Sequence, residues 1–218
     1  MPVKAPPVVA AAVYNWTGFY IGGHVGYGSG TKQWTDPLGP PFDAGSHTVT
    51  GGLGGAQLGA NYQTGRWVFG IEGQYSWADL NGSHFNPLDL ADRLTTRVRW
   101  TASVAGRIGH AFDRTLIYVR GGIAWIRDEH TKIDLGILEA AGNITRTGWL
   151  VGAGVEQAFW ANWSGRIEYN YMDFGRSRVA LFPIAGGAPD LFDVRQDVHT
   201  VTIGLNYRFG ASVVTARY

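Results

Sequence analysis

The stretch Thr200-Val-Thr-Ile-Gly-Leu-Asn-Tyr-Arg-Phe209 alternates strictly between two kinds of side chain. Every second residue is apolar or aromatic, and the residues between them are polar or glycine. The apolar set consists of Val201, Ile203, Leu205, Tyr207 and Phe209. Successive side chains of a β-strand point to opposite faces, so a period of two residues predicts a strand with one apolar and one polar face.

The same alternation occurs in seven other segments of the chain. They are Phe19–Gly28, Gly52–Tyr62, Trp67–Trp77, Val98–Ile108, Leu116–Ile126, Thr147–Gln157 and Trp163–Tyr171. In the fourth of these, the pattern places Val98 on the apolar face and Arg99 on the polar face. Each segment is close to the ~9–11 residues of a tilted strand that crosses a bilayer.

The connections between these segments alternate between short and long. Short ones are predicted at Thr64–Gly65, Ala111–Arg114 and Phe159–Asn162, and long ones at Gly30–Gly51, Asp79–Leu94, His130–Asn143 and Gly175–Phe192. Outer-membrane barrels have this asymmetry, with tight periplasmic turns and longer extracellular loops. The predicted fold is all-β: an eight-stranded antiparallel up-and-down transmembrane β-barrel over residues 19–209. It follows a periplasmic amino-terminal segment, residues 1–18, and precedes a short carboxy-terminal extension, residues 210–218.

The composition also favours a membrane protein. Charged residues make up 16% of the chain, and lysine occurs only at Lys4, Lys32 and Lys132. Soluble domains are about one quarter charged. No apolar run reaches the ~20 residues of a spanning helix, so a chain of this kind that spans a bilayer must do so as a closed barrel. The net charge of +1 and the absence of cysteine exclude charge-driven nucleic-acid binding, a disulfide framework and thiolate metal sites.

The first residues do not resemble a secretion signal. Pro2–Ala12 has no basic start followed by a long apolar stretch. We interpret Met1 as an initiator in front of an already trimmed mature sequence, and we expect secretion through a signal peptide that this sequence does not contain.

Aromatic residues decide which face meets the lipid. With the strand directions above, one set lies at the tight-turn end and a second set lies at the loop end. The first set is Trp67, Trp163, Tyr207 and Phe209, and the second is Trp77, Trp100, Trp125, Trp149 and Tyr171. Trp67 and Trp77 are separated by roughly 23 Å along the membrane normal for a strand tilted near 45°. This matches the ~25 Å apolar band between two aromatic girdles, so the apolar face is predicted to point outward.

The polar face then lines a narrow lumen that contains a balanced set of charges. Three acids and three arginines are predicted to meet there: Glu72, Arg107, Arg120, Glu156, Arg166 and Glu168. Arg208 is expected at the lower rim. Charges in a poorly hydrated lumen persist when they are paired, which favours a structural ion-pair network that plugs the barrel. The alternative is a gated ion path.

Other chemical sites have little support in the sequence. No two of the six histidines have metal-ligand spacing, and Gly51–Gly59 lacks the Lys and the following helix of a phosphate-binding loop. The carboxylates Glu156 and Glu168 are expected beside arginines, which is unsuitable for a general acid. We therefore predict no catalytic residues, no bound metal and no cofactor, and we expect that the chain is not an enzyme.

Both ends of the chain resemble a known family. Tyr14-Asn-Trp-Thr-Gly-Phe-Tyr-Ile-Gly-Gly23, preceded by the proline-containing start Pro2–Pro7, is similar to the mature start of the opacity-type, OmpA-like small outer-membrane β-barrels, the porin-like surface antigens. His199–Phe209 resembles their closing strand. The resemblance implies location in the cell outer membrane of a Gram-negative bacterium, with a structural or surface role and no catalytic residues.

The expected partners follow from this location. They are outer-membrane lipid and lipopolysaccharide, the barrel-assembly machinery during insertion, and an unknown extracellular ligand at the loops; no nucleic acid is expected. The chain departs from the family pattern in continuing past Phe209 to Tyr218.

We expect an envelope-stabilising barrel that presents surface loops. A narrow porin for small solutes, a loop-borne adhesin and a lipid-acting enzyme are the alternatives.

Overall fold

The computed structural model describes the backbone of residues 13–35, 43–86, 89–134, 137–183, 190–210 and 213–214. Side chains are described for residues 14–31, 48–80, 97–128, 145–177 and 195–210. Ten strands are present in this part of the chain: β1 (Val13–Tyr14), β2 (Gly18–Thr35), β3 (Asp43–Thr64), β4 (Trp67–Asn86), β5 (Asp89–Phe112), β6 (Thr115–Asp134), β7 (Ile137–Ala158), β8 (Trp163–Pro183), β9 (Asp190–Phe209) and β10 (Val213–Val214). The sequence stretch Pro2–Ala12 and the last residue, Tyr218, lie outside the described residues.

Strands β2 to β9 form one closed barrel in which each strand pairs with its sequence neighbours. All eight contacts are antiparallel, and β2 pairs with β9 to close the wall, with Phe19 opposite Phe209. The predicted eight-stranded antiparallel barrel is confirmed. Among the described residues, no helix is long and apolar enough to cross a membrane.

The turns at one end of the barrel are tight. Two residues, Gly65 and Arg66, separate β3 from β4, and Asp113 and Arg114 separate β5 from β6. Gly65 and Asp113 have φ values of 59° and 54°, in the left-handed region that glycine and aspartate tolerate best. The backbone carbonyl of Arg66 accepts a hydrogen bond from the backbone N–H of Ala111 at 2.7 Å, which ties this turn to the neighbouring strand.

At the opposite end, the strands are longer than predicted. Strand β2 continues to Thr35 and β3 begins at Asp43, so the connection predicted at Gly30–Gly51 starts later and ends earlier. The other three long connections are shortened in the same way, with β8 reaching Pro183 and β9 starting at Asp190. The pairing of the strands therefore continues well beyond the stretches that show strict alternation.

The residues of the wall alternate between exposed and buried as the sequence pattern predicts. On β9, Ile203 and Leu205 are 61% and 53% exposed, whereas Thr202 before them and Asn206 after them are 3% and 0% exposed. The wall thus presents apolar side chains to the outside and polar side chains to the inside. A soluble barrel has the opposite arrangement, so this one requires a hydrocarbon environment.

The sequence prediction is wrong for two residues of β5. Val98 was expected outside and Arg99 inside, but Val98 is fully buried in the lumen and Arg99 is exposed on the outer wall. The cause is a β-bulge, seen as a register shift between Val98 and Trp100 in the pairing with β6. A bulge adds one residue to a strand and therefore exchanges the two faces beyond it.

Candidate functional site: the charged lumen

Six charged side chains converge inside the barrel. Glu72 comes from β4, Arg107 from β5, Arg120 from β6, Glu156 from β7, and Arg166 and Glu168 from β8. All six are buried, each at or below 5% exposure. They point inward because each occupies a polar position of its alternating strand. The lumen of an eight-stranded barrel is narrow enough for side chains from opposite walls to meet.

Glu72 lies at the centre of this group. Its Oε2 atom accepts a hydrogen bond from Arg166 Nη1 at 2.6 Å and lies 3.6 Å from Arg107 Nη1. Its Oε1 atom accepts one from Arg120 Nη1 at 2.9 Å. The hydroxyl of Tyr20 donates a further hydrogen bond to Oε2 at 2.5 Å. One carboxylate therefore contacts guanidinium groups from three different strands.

Glu168 forms the second junction of the network. It accepts hydrogen bonds from Arg120 Nη1 at 2.7 Å and from the hydroxyl of Tyr118 at 2.7 Å. The side-chain amides of Asn170 and Gln74 donate to Oε1 at 2.9 and 3.0 Å. Such multiple donation is what a buried carboxylate requires in order to remain charged.

Glu156 lies nearer the tight-turn end. Arg107 Nη1 lies 3.2 Å from its Oε2 atom, and Arg208 Nη2 lies 3.8 Å from its Oε1 atom. Ser164 and Asn206 donate to Oε1 at 2.5 and 3.0 Å. Arg107 bridges Glu156 and Glu72, so the three acids and their arginines form one connected network rather than separate pairs.

Two tyrosines complete the network and were missed by the sequence analysis. The guanidinium carbon of Arg107 lies 4.9 Å from the ring centroids of both Tyr20 and Tyr118, so the cation is held between two aromatic faces. Two wall glycines make room for these rings: a Cβ on Gly154 would lie 2.6 Å from the Tyr118 hydroxyl, and one on Gly59 would collide with that of Tyr20. Both tyrosines occupy inward-facing positions of their alternating strands, and this pattern could have revealed them.

Above the network, the lumen contains a layer of polar side chains and then a layer of apolar ones. His24 Nδ1 lies 2.6 Å from Gln57 Oε1, and His24 Nε2 lies 2.8 Å from Ser76 Oγ. A cavity of about 20 Å³ beside His24 and Ser76 has room for about one water molecule. Apolar side chains from most of the wall fill the next layer: Val49, Leu80, Val98, Ile126, Leu150, Met172, Phe174 and Val198.

The tight-turn end is filled by residues that precede the barrel. Tyr14 and Trp16 are buried in a cluster with Val68, Leu116 and neighbouring residues. The guanidinium carbon of Arg208 lies 4.5 Å from the Trp16 ring centroid and 5.3 Å from that of Tyr14. We call Tyr14 and Trp16 the mouth plug. It lies within the segment 1–18 that we predicted to be periplasmic, and its burial was not anticipated.

The mouth plug is fixed by hydrogen bonds as well as by packing. The backbone N–H of Trp16 donates to Gln63 Oε1 at 2.6 Å, and Arg208 Nη1 donates to the Asn15 carbonyl at 3.2 Å. At the start of the plug, Val13 and Tyr14 pair with Val214 and Val213 in a two-stranded ribbon formed by β1 and β10. Both ends of the described chain therefore meet beneath the barrel.

The predicted girdle residues all lie on the outer wall, at two heights. Trp67 and Phe209 are exposed at the tight-turn end, where Trp163 is the register partner of Tyr207. The loop-end set lies close to the rung on which Trp77 pairs with Trp100. Trp125 and Tyr171 are partly exposed at this end, and Trp149 packs edge-on against Tyr171 with ring centroids 5.5 Å apart. Phe19, Tyr62 and Phe112 are further exposed aromatics near the tight turns.

The ion pairs use most of the charged side chains inside the narrow barrel and leave few of them available for catalysis or ligand binding. Each of the three network carboxylates, Glu72, Glu156 and Glu168, contacts at least one arginine. Among the described residues, no group of three or more His, Asp or Glu side chains could hold a metal ion.

An outward apolar wall, two levels of exposed aromatics and a charged interior define an integral membrane β-barrel. The family described as "Outer membrane protein beta-barrel domain" matches residues 5–209, and the chain belongs to this family. The predicted location in the outer membrane is thereby confirmed, as is the resemblance to small outer-membrane barrels.

Relatives and solved structures agree with this assignment. The chain is 31% identical to a 31 kDa outer-membrane immunogenic protein of Brucella melitensis, over 94% of this chain and 89% of that protein. It is 29% identical to a 22 kDa outer membrane protein of Rhizobium leguminosarum, over 89% of this chain and 79% of the relative. The crystal structure of the outer membrane protein OprG from Pseudomonas aeruginosa superimposes with a TM-score of 0.51 at 14% identity, covering 91% and 99% of the two chains. At that identity the structural match supports the fold alone.

Proposed function

We propose that this outer-membrane surface protein is a structural barrel that stabilises the envelope and does not conduct solutes. The observation that carries the proposal is the connected network of Glu72, Glu156, Glu168 and their arginines, which fills the lumen from wall to wall. An apolar layer on one side and the mouth plug on the other add to the obstruction. A porin would need a continuous hydrated path, and side chains occupy that space here.

The surface part of the proposal rests on the relatives. Several curated relatives are named outer-membrane immunogenic proteins, which supports exposure of the barrel's outer end to the surroundings of the cell. The strands reach far beyond the upper aromatic level at this end, so the molecule has an extramembrane rim. We propose that this rim binds an extracellular ligand and that the barrel-assembly machinery inserts the chain.

The proposal includes no catalytic activity. The network carboxylates Glu72, Glu156 and Glu168 are buried at or below 2% exposure and are held by arginines, so they have no access to substrate. Turnover of labelled lipid that disappears on replacing one surface serine or histidine would contradict this part.

Planar-bilayer recording of the purified protein tests the closed lumen directly. We expect no stable openings under conditions in which a general porin, reconstituted in parallel, conducts. Stable openings of the wild-type protein would overturn the proposal in favour of the narrow porin.

A deletion strain tests the structural role. We expect it to take up more of a hydrophobic fluorescent probe than its parent, and we expect the wild-type gene to restore the barrier. A gene whose connections 36–42 and 184–189 are exchanged for unrelated sequence should restore it equally. Unchanged uptake in the deletion strain, together with surface binding lost in the exchanged variant, would favour an adhesin.

A further inference from the structure

The outer wall of β5 and β6 carries a cluster of arginines at the upper aromatic level and just above it. Arg97, Arg99 and Arg127 are all exposed, and we call them the arginine patch. Arg127 is the register partner of Trp100, and Arg99 and Arg97 follow Trp100 toward the outer end of β5. Adjacent strands are ~4.8 Å apart and residues rise ~3.3 Å along a strand, so the three backbone positions lie within about 10 Å of one another.

The arginine patch has an excess of positive charge. Asp79 forms an ion pair with Arg97 at 2.8 Å, and it is the only carboxylate among the outward-facing described residues of 75–80, 97–104 and 123–127. Among the outward-facing side chains that the structure describes here, three arginines therefore accompany one carboxylate. The β-bulge that turns Arg99 outward creates part of this excess, since the unbroken strand pattern would have placed that side chain in the lumen.

Beneath the patch, the same wall has an apolar groove. Leu58, Gly73, Tyr75, Val104 and Trp125 line a groove of about 330 Å³ on the outer surface, which we call the wall groove. Ala102 lies at its floor, two residues below Trp100 on β5. A Cβ on Gly73 would meet only the Ser103 carbonyl oxygen, at 3.9 Å. Packing within the barrel therefore does not require glycine at this position, and the missing side chain leaves space on the lipid side.

The two features together have the layout of one lipid molecule. The arginines stand at the height of the headgroups and Trp77 and Trp100 at the interface, and the wall groove, which continues onto β3, lies in the hydrocarbon region. Arginine binds phosphate strongly, because its planar guanidinium donates two hydrogen bonds side by side. The outer end of the barrel lies in the outer leaflet, where the headgroups are those of phosphorylated glycolipids.

We propose that the β4–β6 wall is a binding site for a phosphorylated glycolipid of the outer leaflet, with its phosphate on the arginine patch and one acyl chain in the wall groove. The proposal rests on the outer-membrane location and is independent of whether the lumen conducts.

The opposite wall provides a matched control. A groove of about 690 Å³ there includes Gly23, which is also open to the outside. Above it, Arg176 and Arg195 are accompanied by Asp173 and Asp197, and Arg195 lies 3.6 Å from Asp173. Among the described side chains at this height, two arginines accompany two aspartates, so this wall offers a groove and arginines without a positive excess.

Native mass spectrometry of the protein in neutral detergent micelles tests the site, with bisphosphorylated lipid A as the probe. We expect Arg99→Gln combined with Arg127→Gln to weaken binding about thirtyfold, from the attraction of each arginine to an anionic headgroup. Gly73→Leu should weaken it at least tenfold by filling the wall groove. The controls Arg176→Gln with Arg195→Gln, and Gly23→Leu, should change binding by less than about twofold.

The ligand's chemistry is tested with the wild-type protein alone. Lipid A without phosphates should bind at least tenfold more weakly than the bisphosphorylated form. Equal binding of the two forms, or equal binding of phosphatidylglycerol, would overturn the proposal, because the site would then recognise neither phosphate nor glycolipid. If the double arginine variant fails to fold, Gly73→Leu and this comparison of lipids still decide the question. Unchanged binding in Gly73→Leu would exclude the wall groove as the acyl site.

Discussion

Acidic residues in the lumen and on the outer wall differ sharply in their exposure to solvent. Glu72 contacts Arg107, Arg120 and Arg166 with almost no exposure to solvent. Asp79 also pairs with an arginine at 2.8 Å, but its side chain is 59% exposed. A buried charge that loses its partner has no water to replace it, whereas an exposed one is solvated again. The same chemical change should therefore have very different consequences at the two positions.

We predict that Glu72→Gln lowers the free energy of unfolding by about 3–5 kcal/mol, the range for removing one partner from a buried ionic group. The substitution keeps the size of the side chain but leaves three buried guanidinium groups with one carboxylate fewer. The measurement is the urea midpoint of reversible unfolding in lipid vesicles, followed by tryptophan fluorescence.

Asp79→Asn is the matched control for this prediction. It removes one carboxylate from an exposed pair and should cost at most about 1 kcal/mol. If the two substitutions shift the midpoint equally, the lumen network does not depend on the charge of Glu72.

The strands show how much of the fold the sequence alone could predict. Alternation on β9 predicts its two faces because every second residue is apolar from Val201 to Phe209, and a one-residue slip would put all of them in the lumen. On β5 the alternation runs unbroken through Val98 and Trp100, so it gives no sign of the bulge between them. A bulge is a backbone irregularity set by both neighbouring strands, and one strand's sequence does not specify it.

The sequence predicted which residues line the lumen but not the distances between their side chains. The alternation on their strands places Glu72 and Arg166 on the inward face, near the barrel axis. Their 2.6 Å contact depends on the register of strands that are distant in sequence. The mouth plug escaped prediction for a different reason. Tyr14 and Trp16 precede the first alternating strand, and only the closed end of a barrel gives them a surface to pack against.

At the scale of elements, we predict that removing residues 210–218 leaves membrane insertion intact. The barrel is closed by β2 and β9, whose pairing ends at Phe19 and Phe209, and among the described residues of the tail the only pairing that the truncation removes is that of β10 with β1. Phe209 then becomes the terminal aromatic residue, with apolar residues at alternate positions before it. The measurement is the fraction of protein in the outer membrane that migrates as the faster, unboiled form on a gel.

A variant with the full tail but with Phe209→Asp serves as the comparison for the truncation. It places a charge on the lipid-facing side at the end of the last barrel strand, so we expect less folded protein in the membrane. If the truncation also loses the fast-migrating form, the tail is needed for assembly.

For the whole molecule, the lumen is obstructed at successive levels by different kinds of side chain. The mouth plug occupies the tight-turn end, the ionic network lies above it, and the apolar layer that includes Leu80 and Phe174 lies above that. These levels are built from different residues, so removing one of them leaves the others in place. The lumen is therefore closed by all three levels together and not by a single gate.

We therefore predict that removing the mouth plug alone does not open the barrel. A variant lacking residues 1–16 should remain silent in planar bilayers, because the network around Glu72 still spans the lumen. Adding Glu72→Ala together with Arg166→Ala deletes two facing side chains as a neutral pair. It should still leave the recording silent while the apolar layer persists. Only the further change Phe174→Ala should produce stable openings. Openings in the variant that lacks only residues 1–16 would show that the plug is the sole barrier, and that the ionic network leaves a hydrated path past its arginines.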